Sequence, residues 1–237
     1  MNSSVFSRIS FRRPLGSYSK IQKWFGNLIR NKTSQLRGDR IKGLRYLDIG
    51  CGPNTHEELV NVDYLWHPKV DVCWDITKGI PFDSKSMKGV FTEHCLEHFP
   101  LWQTCAILKE CLRVLEPGGV LRIVVPDGGM YLERYHEHMV SECPRPFPYQ
   151  EHESYEGLFT PMLSINRIFY QDRESMFGHR CMYDYPLLEV LLKHIGFDNV
   201  RHVAFRKGRD PSLLIDSPNR ECESLYVEAV ASESLSQ

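Results

Sequence analysis

The sequence predicts an α/β protein with a doubly wound, mainly parallel β-sheet. Short apolar runs typical of buried strands alternate with segments whose apolar residues recur at helical spacing. Several of these runs end in an acidic residue, and the first continues into a turn with two glycines. Strands that alternate with helices favour a parallel sheet with helices on both faces. With 237 residues, 42% of them hydrophobic, the chain can bury one sizeable core.

Seven segments are strand candidates. The run at 120–125 is continuous and rich in β-branched residues, as expected for a parallel strand buried on both faces. In chain order the candidates are Leu44–Ile49, Leu59–Val62, Val70–Trp74, Gly89–Thr92, Val120–Val125, Val200–Phe205 and Ser224–Val230.

Two longer segments have the apolar spacing of helices. Leu101–Leu115 ends before Pro117-Gly118-Gly119, and Tyr185–His194 ends before Gly196. Between them, residues 128–183 are rich in aromatic residues and predict a helical lid inserted into the sheet fold. Only about ten residues link the first two strands, which leaves room for one or two helical turns at Thr55–Leu59.

The turn Asp48-Ile49-Gly50-Cys51-Gly52 is the most informative local feature. Glycine adopts positive φ and lets a ligand approach the backbone closely, as nucleotide-binding turns require. Later strands also end in acids, at Asp63, Asp75, Glu93 and Asp127. A single acid there commonly caps a helix or turn, but acids after successive parallel strands converge on one crevice.

Residues 44–127 resemble a class I S-adenosylmethionine-dependent methyltransferase of the type 11 methyltransferase-domain family. The glycine turn resembles the family's first motif, and the 184–200 segment resembles its last helix and the strand after it. The other matching segments are Asn61-Val62-Asp63, Asp71–Ile76, Gly79–Asp83, Val90–His98 and Leu112–Leu121.

The resemblance implies a seven-stranded Rossmann-like sheet, here with a shortened first crossover, and S-adenosyl-L-methionine as the cofactor. It places Asp63 on the ribose hydroxyls, and Asp75 and Ile76 beside the adenine. An acidic pocket would also favour the sulfonium cation. The implied cofactor-binding residues are Asp48, Gly50, Cys51, Gly52, Asp63, Tyr64, Asp75, Ile76, Glu93 and His94.

The implied reaction is methyl transfer to a small-molecule or glycan-type acceptor. Because this is an in-line displacement, catalysis is largely placement of the acceptor, and a hydroxyl acceptor also needs a general base. The candidates for catalysis are His94, His98, His179 and Asp127, each of which also suits a packing or capping role. Two other functions remain open: a degenerate cofactor- or product-binding protein that regulates or scaffolds, and a membrane-surface or partner-binding module.

The first motif departs from the family pattern. Pro53-Asn54 stands where the family has a third glycine, and the following helix is shortened. The N-terminus of that helix normally offers amide donors to the ligand, so a weak-binding or degenerate homologue is an alternative interpretation.

Residues 1–40 predict a basic, amphipathic N-terminal arm before a methyltransferase-like domain at 41–237. The first 45 residues hold eleven Lys and Arg residues and a single acid, Asp39. The arm suits packing on an acidic body, peripheral membrane or partner contact, or organelle targeting by residues 1–35. Its apolar stripe is Ile21, Trp24, Phe25, Leu28 and Ile29.

The remaining composition predicts a cytoplasmic protein with neither a membrane span nor a nucleic-acid partner. The eight cysteines include no C-x-x-C pair and are expected to be reduced core residues, so no metal site is predicted.

Overall fold

The fold is a seven-stranded sheet with strand order β3-β2-β1-β4-β5-β7-β6. The computed structural model of the chain describes residues 20–149, 159–170 and 178–232. β1 to β5 pair in parallel, whereas β7 runs antiparallel to both β5 and β6. The predicted doubly wound, mainly parallel sheet is confirmed. Its strands are β1 (Tyr46–Ile49), β2 (Val60–Asp63), β3 (Val72–Cys73), β4 (Met87–Glu93), β5 (Leu115–Pro126), β6 (Phe197–Val203) and β7 (Ser224–Ala231).

The central strands are buried on both faces. Leu47 and Ile49 of β1 and Leu121 and Ile123 of β5 are fully covered within the main apolar core. β5 is longer than predicted because Leu115 already pairs with Met87 of β4, and the pairing resumes at Val120 after a register shift across the Pro-Gly-Gly segment. Gly118 takes a φ of +80° at this irregularity, a conformation that glycine adopts without strain.

Helices flank the sheet. α2 (Leu101–Val114) and α5 (Tyr185–Ile195) have nearly the predicted bounds. Asp184 caps α5 by accepting a hydrogen bond from the Leu187 amide at 2.9 Å, and Gly196 ends the helix in the left-handed conformation.

The segment between β5 and α5 carries α3 (Gly128–Val140) and α4 (Pro161–Tyr170). These helices share an apolar cluster of their own, centred on Tyr131, Phe147, Ile165 and Ile168. Several of the aromatic residues predicted for a lid therefore form a satellite core. The parts of that prediction at 150–158 and 171–177 lie outside the described residues.

The link from β1 to β2 contains no helix, so the helix predicted at Thr55–Leu59 is wrong. Asn61 holds this link instead: its side chain accepts from the His56 amide at 2.7 Å and donates to the His56 carbonyl at 2.9 Å. A polar side chain thus takes up backbone groups that a helical turn would otherwise pair.

The described part of the N-terminal arm lies against the β3 edge. α1 (Lys20–Ile29) is followed by Asn31, whose amide donates to the Cys73 carbonyl at 3.2 Å. The Gln35 side chain accepts from the Cys73 amide at 2.7 Å, and Arg30 donates to the Tyr64 carbonyl at 2.9 Å. Predictions for residues 1–19 lie outside the described part of the chain.

Cysteine placement agrees with the reduced-core prediction in part. Cys51, Cys73, Cys95 and Cys111 are buried, and all eight cysteines are free thiols, but Cys143 and Cys222 are exposed. Within 20–149, 159–170 and 178–232, no helix has the length and apolar character needed to cross a membrane.

Candidate active site

A cavity of about 580 Å³ opens at the carboxyl ends of β1, β2, β3 and β4. Its size is within the range of about 300–1,000 Å³ common for small-molecule sites. All ten residues predicted to bind the cofactor line it, as does His98. The chain continues from β1 toward one edge of the sheet and from β4 toward the other, so the strand order reverses between these two neighbours. The crevice at such a reversal is where ligands bind in doubly wound folds.

The glycine turn forms one wall of the cavity. Gly50 has a φ of +74°, and a Cβ there would lie 2.3 Å from Cys95 Sγ, so only glycine fits. Gly52 also has a positive φ, of +54°, but a Cβ there would meet nothing within 4 Å. Gly52 therefore leaves open space at the wall, where a bound molecule could approach the backbone.

Asp63 ties the glycine turn to the end of β2. Its Oδ2 accepts from the Gly52 amide at 2.8 Å, and its Oδ1 accepts from the Leu65 amide at 2.6 Å. Burial raises the pKa of the Asp63 carboxyl, and these two hydrogen bonds oppose that shift. Each carboxylate oxygen has two lone pairs, so the group retains capacity for ligand hydroxyls.

Two further acids make this part of the cavity acidic. Burial, together with the nearby Glu93 and Asp63, raises the pKa of Asp48 well above its usual range. Glu93 accepts from the Ser217 amide at 2.9 Å and thereby anchors the loop that precedes β7. The environment favours a cation, which would offset the repulsion among these carboxyl groups.

Asp75 and Ile76 lie beyond β3, at the far side of the glycine turn. The Asp75 carboxylate accepts from the Thr77 amide at 3.1 Å and from its hydroxyl at 2.6 Å, which starts a short 3₁₀ turn. This turn places Ile76 in the cavity wall. Tyr64, also in the wall, is covered by the Arg30 guanidinium 3.7 Å from its ring centre.

The opposite end of the cavity carries basic and aromatic side chains. His94 has a φ of +48°, and its ring Nε2 lies 2.8 Å from Ser224 Oγ. Burial and the nearby Arg220 lower its pKa well below the usual range, so the ring is neutral at pH 7. His98, Arg180 and Arg220 complete this end.

Glu97 lies directly behind this end and was not singled out as a site residue from the sequence. It is 2% exposed, and its Oε1 lies 3.5 Å from His94 Nδ1 and 3.9 Å from His98 Nε2. Within the described residues neither carboxylate oxygen has a hydrogen-bond partner. Burial raises its pKa to about 7.

The structure brings together three of the four predicted catalytic residues. The His179 ring centre lies 5.1 Å from that of His98, which adjoins His94 through Glu97. Asp127 is placed elsewhere: it does not line the cavity, and its Oδ1 accepts from the Met130 amide at 3.0 Å as the cap of α3. The geometry thus gives Asp127 the capping role that was the alternative for it.

Several residues of the cavity wall were not predicted from the sequence. Glu97 had a signal, since it precedes His98 in the matching segment 90–98, but only its burial reveals it. The predicted lid contributes one wall residue among those described, Arg180. The other missed wall residues come mostly from α2 and the connecting loops; they include His56, Trp74, Trp102, Gln103 and Arg220.

Comparison with known proteins identifies the domain. A family model described as a methyltransferase domain matches residues 51–123, which include the second half of the glycine turn and extend into β5. A protein of Mycolicibacterium smegmatis, described as a probable S-adenosylmethionine-dependent methyltransferase, is 27% identical over 110 residues. Residues 51–123 are thus a methyltransferase domain, and the matches support the S-adenosylmethionine-dependent class. S-adenosylmethionine is the cofactor of this family.

The similarity to the Mycolicibacterium protein covers 39% of this chain and 42% of that relative's length. Among solved structures, a S-adenosylmethionine-dependent methyltransferase of Archaeoglobus fulgidus is 17% identical and has a TM-score of 0.47, with 86% of this chain and 94% of that chain covered. A Burkholderia thailandensis 1,6-didemethyltoxoflavin-N1-methyltransferase is 13% identical with a TM-score of 0.44, covering 79% and 71% of the two chains.

Proposed function

We propose that this methyltransferase domain transfers a methyl group from S-adenosylmethionine to a small-molecule or glycan-type acceptor. The observation that carries the proposal is a single cavity with an acidic, glycine-walled end and a basic, aromatic end. When bound, the cofactor would supply an electrophilic methyl group on a sulfonium.

The residues of the acidic end fit that cofactor. Asp63 is positioned to accept hydrogen bonds from a ribose diol, and the open space at Gly52 admits a ligand close to the backbone. Asp75 and Ile76 lie where the adenine is expected. The presence of these residues in one cavity wall supports the roles proposed for them.

The other end suits a compact, polar acceptor. Phe99 and Trp102 offer apolar and aromatic surface, and Gln103, His98 and Arg180 offer hydrogen-bonding groups. An aromatic wall with a few polar groups is typical of sites that orient a small molecule. Because methyl transfer is an in-line displacement, holding the acceptor oxygen or nitrogen against the methyl group supplies much of the rate.

Calorimetric titration of the full chain with S-adenosylmethionine and S-adenosylhomocysteine tests the cofactor assignment. We expect both to bind, and Asp63→Ala to weaken binding at least tenfold because the ribose acceptor is lost. Asp39→Ala, an exposed acid outside the cavity, is the matched control. Absence of binding at millimolar ligand would overturn the proposal, and full affinity in Asp63→Ala would remove the ribose assignment alone.

Binding without transfer would instead favour a cofactor-binding protein with a regulatory role. Radiolabelled methyl transfer to a panel of phenols, carboxylic acids, amines and sugars distinguishes the two functions. Transfer to any member supports an enzyme.

Peripheral membrane contact is a second proposal, supported by the outer face of α1. Ile21, Trp24 and Leu28 are 76%, 63% and 51% exposed, and they lie on one face at helical spacing. Flotation of the full chain with anionic vesicles should decrease in a Trp24→Ser, Leu28→Ser variant. Unchanged flotation would contradict this role.

A further inference from the structure

A cluster of three side chains beside the acceptor end is not explained by cofactor binding. Glu97, His98 and His179 each present a ligand atom, and these atoms all lie within 4.8 Å of one another. Glu97 and His98 occupy the 3₁₀ turn that follows β4, whereas His179 comes from the segment before α5. The chain folds back across 81 residues to bring the imidazole of His179 to this turn.

Glu97 supplies the independent observation that a ligand belongs here. Its side chain is 2% exposed, faces the two histidines, and accepts no hydrogen bond from any described residue. A buried carboxylate without hydrogen-bond partners is costly, and native proteins satisfy such groups with hydrogen bonds, ion pairs or metal ions.

We infer that Glu97, His98 and His179 form a binding site for a divalent transition-metal ion such as Zn²⁺. Two imidazoles and one carboxylate are a ligand set that such ions accept, with positions left open for a further ligand. Ligand atoms about 2.1 Å from an ion lie about 3–4 Å from one another. Side-chain movements of roughly 1 Å or less would therefore bring the three ligand atoms to the separations that an ion requires. This inference departs from the sequence-based expectation of no metal site.

His179 is already oriented as a metal ligand would be. Its Nδ1 lies 2.8 Å from the Ile168 carbonyl oxygen, which can only accept, so Nδ1 carries the proton. The lone pair is therefore on Nε2. Metal-binding histidines commonly have their second nitrogen fixed in this way by a carbonyl or carboxylate.

The surrounding charges allow a cation. Two guanidinium groups of this region, those of Arg220 and Arg167, lie 2.7 Å and 4.0 Å from the Glu223 carboxylate, which offsets their charge. His98 also lines the cavity, so an ion held by it would adjoin the acceptor end.

The role of the ion rests on the proposed function, whereas its binding does not. An acceptor hydroxyl bound to the ion would release its proton to solvent more readily, because the ion stabilises the oxyanion. That oxygen then bonds to the methyl carbon as the carbon–sulfur bond breaks, and the bonding electron pair stays on sulfur. An acceptor with an acidic hydroxyl, such as a phenol, is the class this site fits best.

Metal titration of the full chain tests the site directly. Chelator-treated protein is titrated with ZnCl₂ by calorimetry, and with CoCl₂ while the visible absorption of bound Co²⁺ is recorded. We expect one equivalent to bind to the wild-type chain, and the dissociation constant to rise at least tenfold in Glu97→Gln and in His179→Asn. His194→Asn, an exposed histidine near the end of α5, is the matched control and should bind as the wild type does.

Absence of binding would overturn the inference, as would binding that both variants retain. Retained binding would point to the exposed thiols of Cys143 and Cys222. Circular dichroism checks that each variant folds; if Glu97→Gln does not, His179→Asn decides. S-adenosylhomocysteine affinity is measured on the same samples, so loss of cofactor binding with metal binding intact would sink the proposed function alone.

Discussion

The two ends of the cavity are built in different ways. The acidic end comes from short segments that directly follow β1, β2 and β3, and backbone geometry at Gly50 and Gly52 defines much of it. The basic end combines side chains from the turn after β4, from α2, and from loops near residues 180 and 220. A local turn encodes the first end, whereas long-range packing encodes the second.

A buried ion cluster holds part of the second end in place. Arg122 of β5 is fully buried and donates to Asp216 at 2.7 Å and to Glu228 at 2.8 Å. Asp216 lies in the loop that also carries Ser217, which is bound to Glu93, and Arg220 in the cavity wall. The loop therefore depends on buried charges that belong to neither the glycine turn nor the cavity wall.

Arg122→Leu should give the largest effect on stability. Its loss leaves the carboxylates of Asp216 and Glu228 buried and uncompensated, and we expect a decrease of about 3–5 kcal/mol in the free energy of unfolding. Urea denaturation measures it. Arg45→Met, which breaks the exposed pair with Glu116, is the control and should cost about 0–1 kcal/mol. Similar losses in the two variants would show that the cluster does not stabilise the loop.

Gly50→Ala and Gly52→Ala should separate folding from binding at the first end. At Gly50 the new Cβ would collide with Cys95 Sγ, so we expect a loss of about 1–3 kcal/mol in stability. At Gly52 the Cβ enters open space, so the main cost in stability is its positive φ, about 1 kcal/mol.

The two glycine variants should also differ in their affinity for the cofactor product. Gly52→Ala should weaken S-adenosylhomocysteine binding at least tenfold, because its methyl group occupies space that the ligand needs. Calorimetry and urea denaturation of both variants measure the two effects. Full affinity in Gly52→Ala would mean that the ligand does not pass this position.

Much of the sheet was predictable because its signals are local. The seven strand positions follow from apolar runs, and the glycine turn follows from Asp48-Ile49-Gly50-Cys51-Gly52. The helix expected at Thr55–Leu59 failed because Asn61, a residue of the next strand, takes up the backbone groups of His56. No periodicity in the sequence reports that competition.

The basic end was less predictable because contacts between distant parts of the chain form it, and local sequence patterns do not show such contacts. His98 and His179 are 81 residues apart, and nothing in either local segment indicates that their rings lie 5.1 Å from one another. Asp127 was predicted for the site but lies outside it. Like Asp48 and Asp63, it lies at the carboxyl end of a strand, yet its carboxylate accepts a hydrogen bond from the Met130 amide of α3. Position at a strand end indicates the crevice but not the direction of the side chain.

The pH dependence of stability tests the electrostatics of the acidic end through Asp48. Burial, Glu93 and Asp63 raise its pKa in the folded chain above the usual value of 3.8. Above that pH the unfolded chain has released the proton while the folded chain still holds it, so this group lowers stability as pH rises toward its folded pKa. Asp48→Asn cannot ionise and should lose this dependence.

The difference in unfolding free energy between Asp48→Asn and the wild type should therefore grow in favour of the variant as the pH rises above 3.8 toward the folded pKa of Asp48. The effect should be smaller than that of Arg122→Leu. Parallel pH profiles for Asp48→Asn and the wild type would contradict the assignment. A bound cation favours the ionised carboxylate, so S-adenosylmethionine should reduce the difference, whereas uncharged S-adenosylhomocysteine sulfur should not.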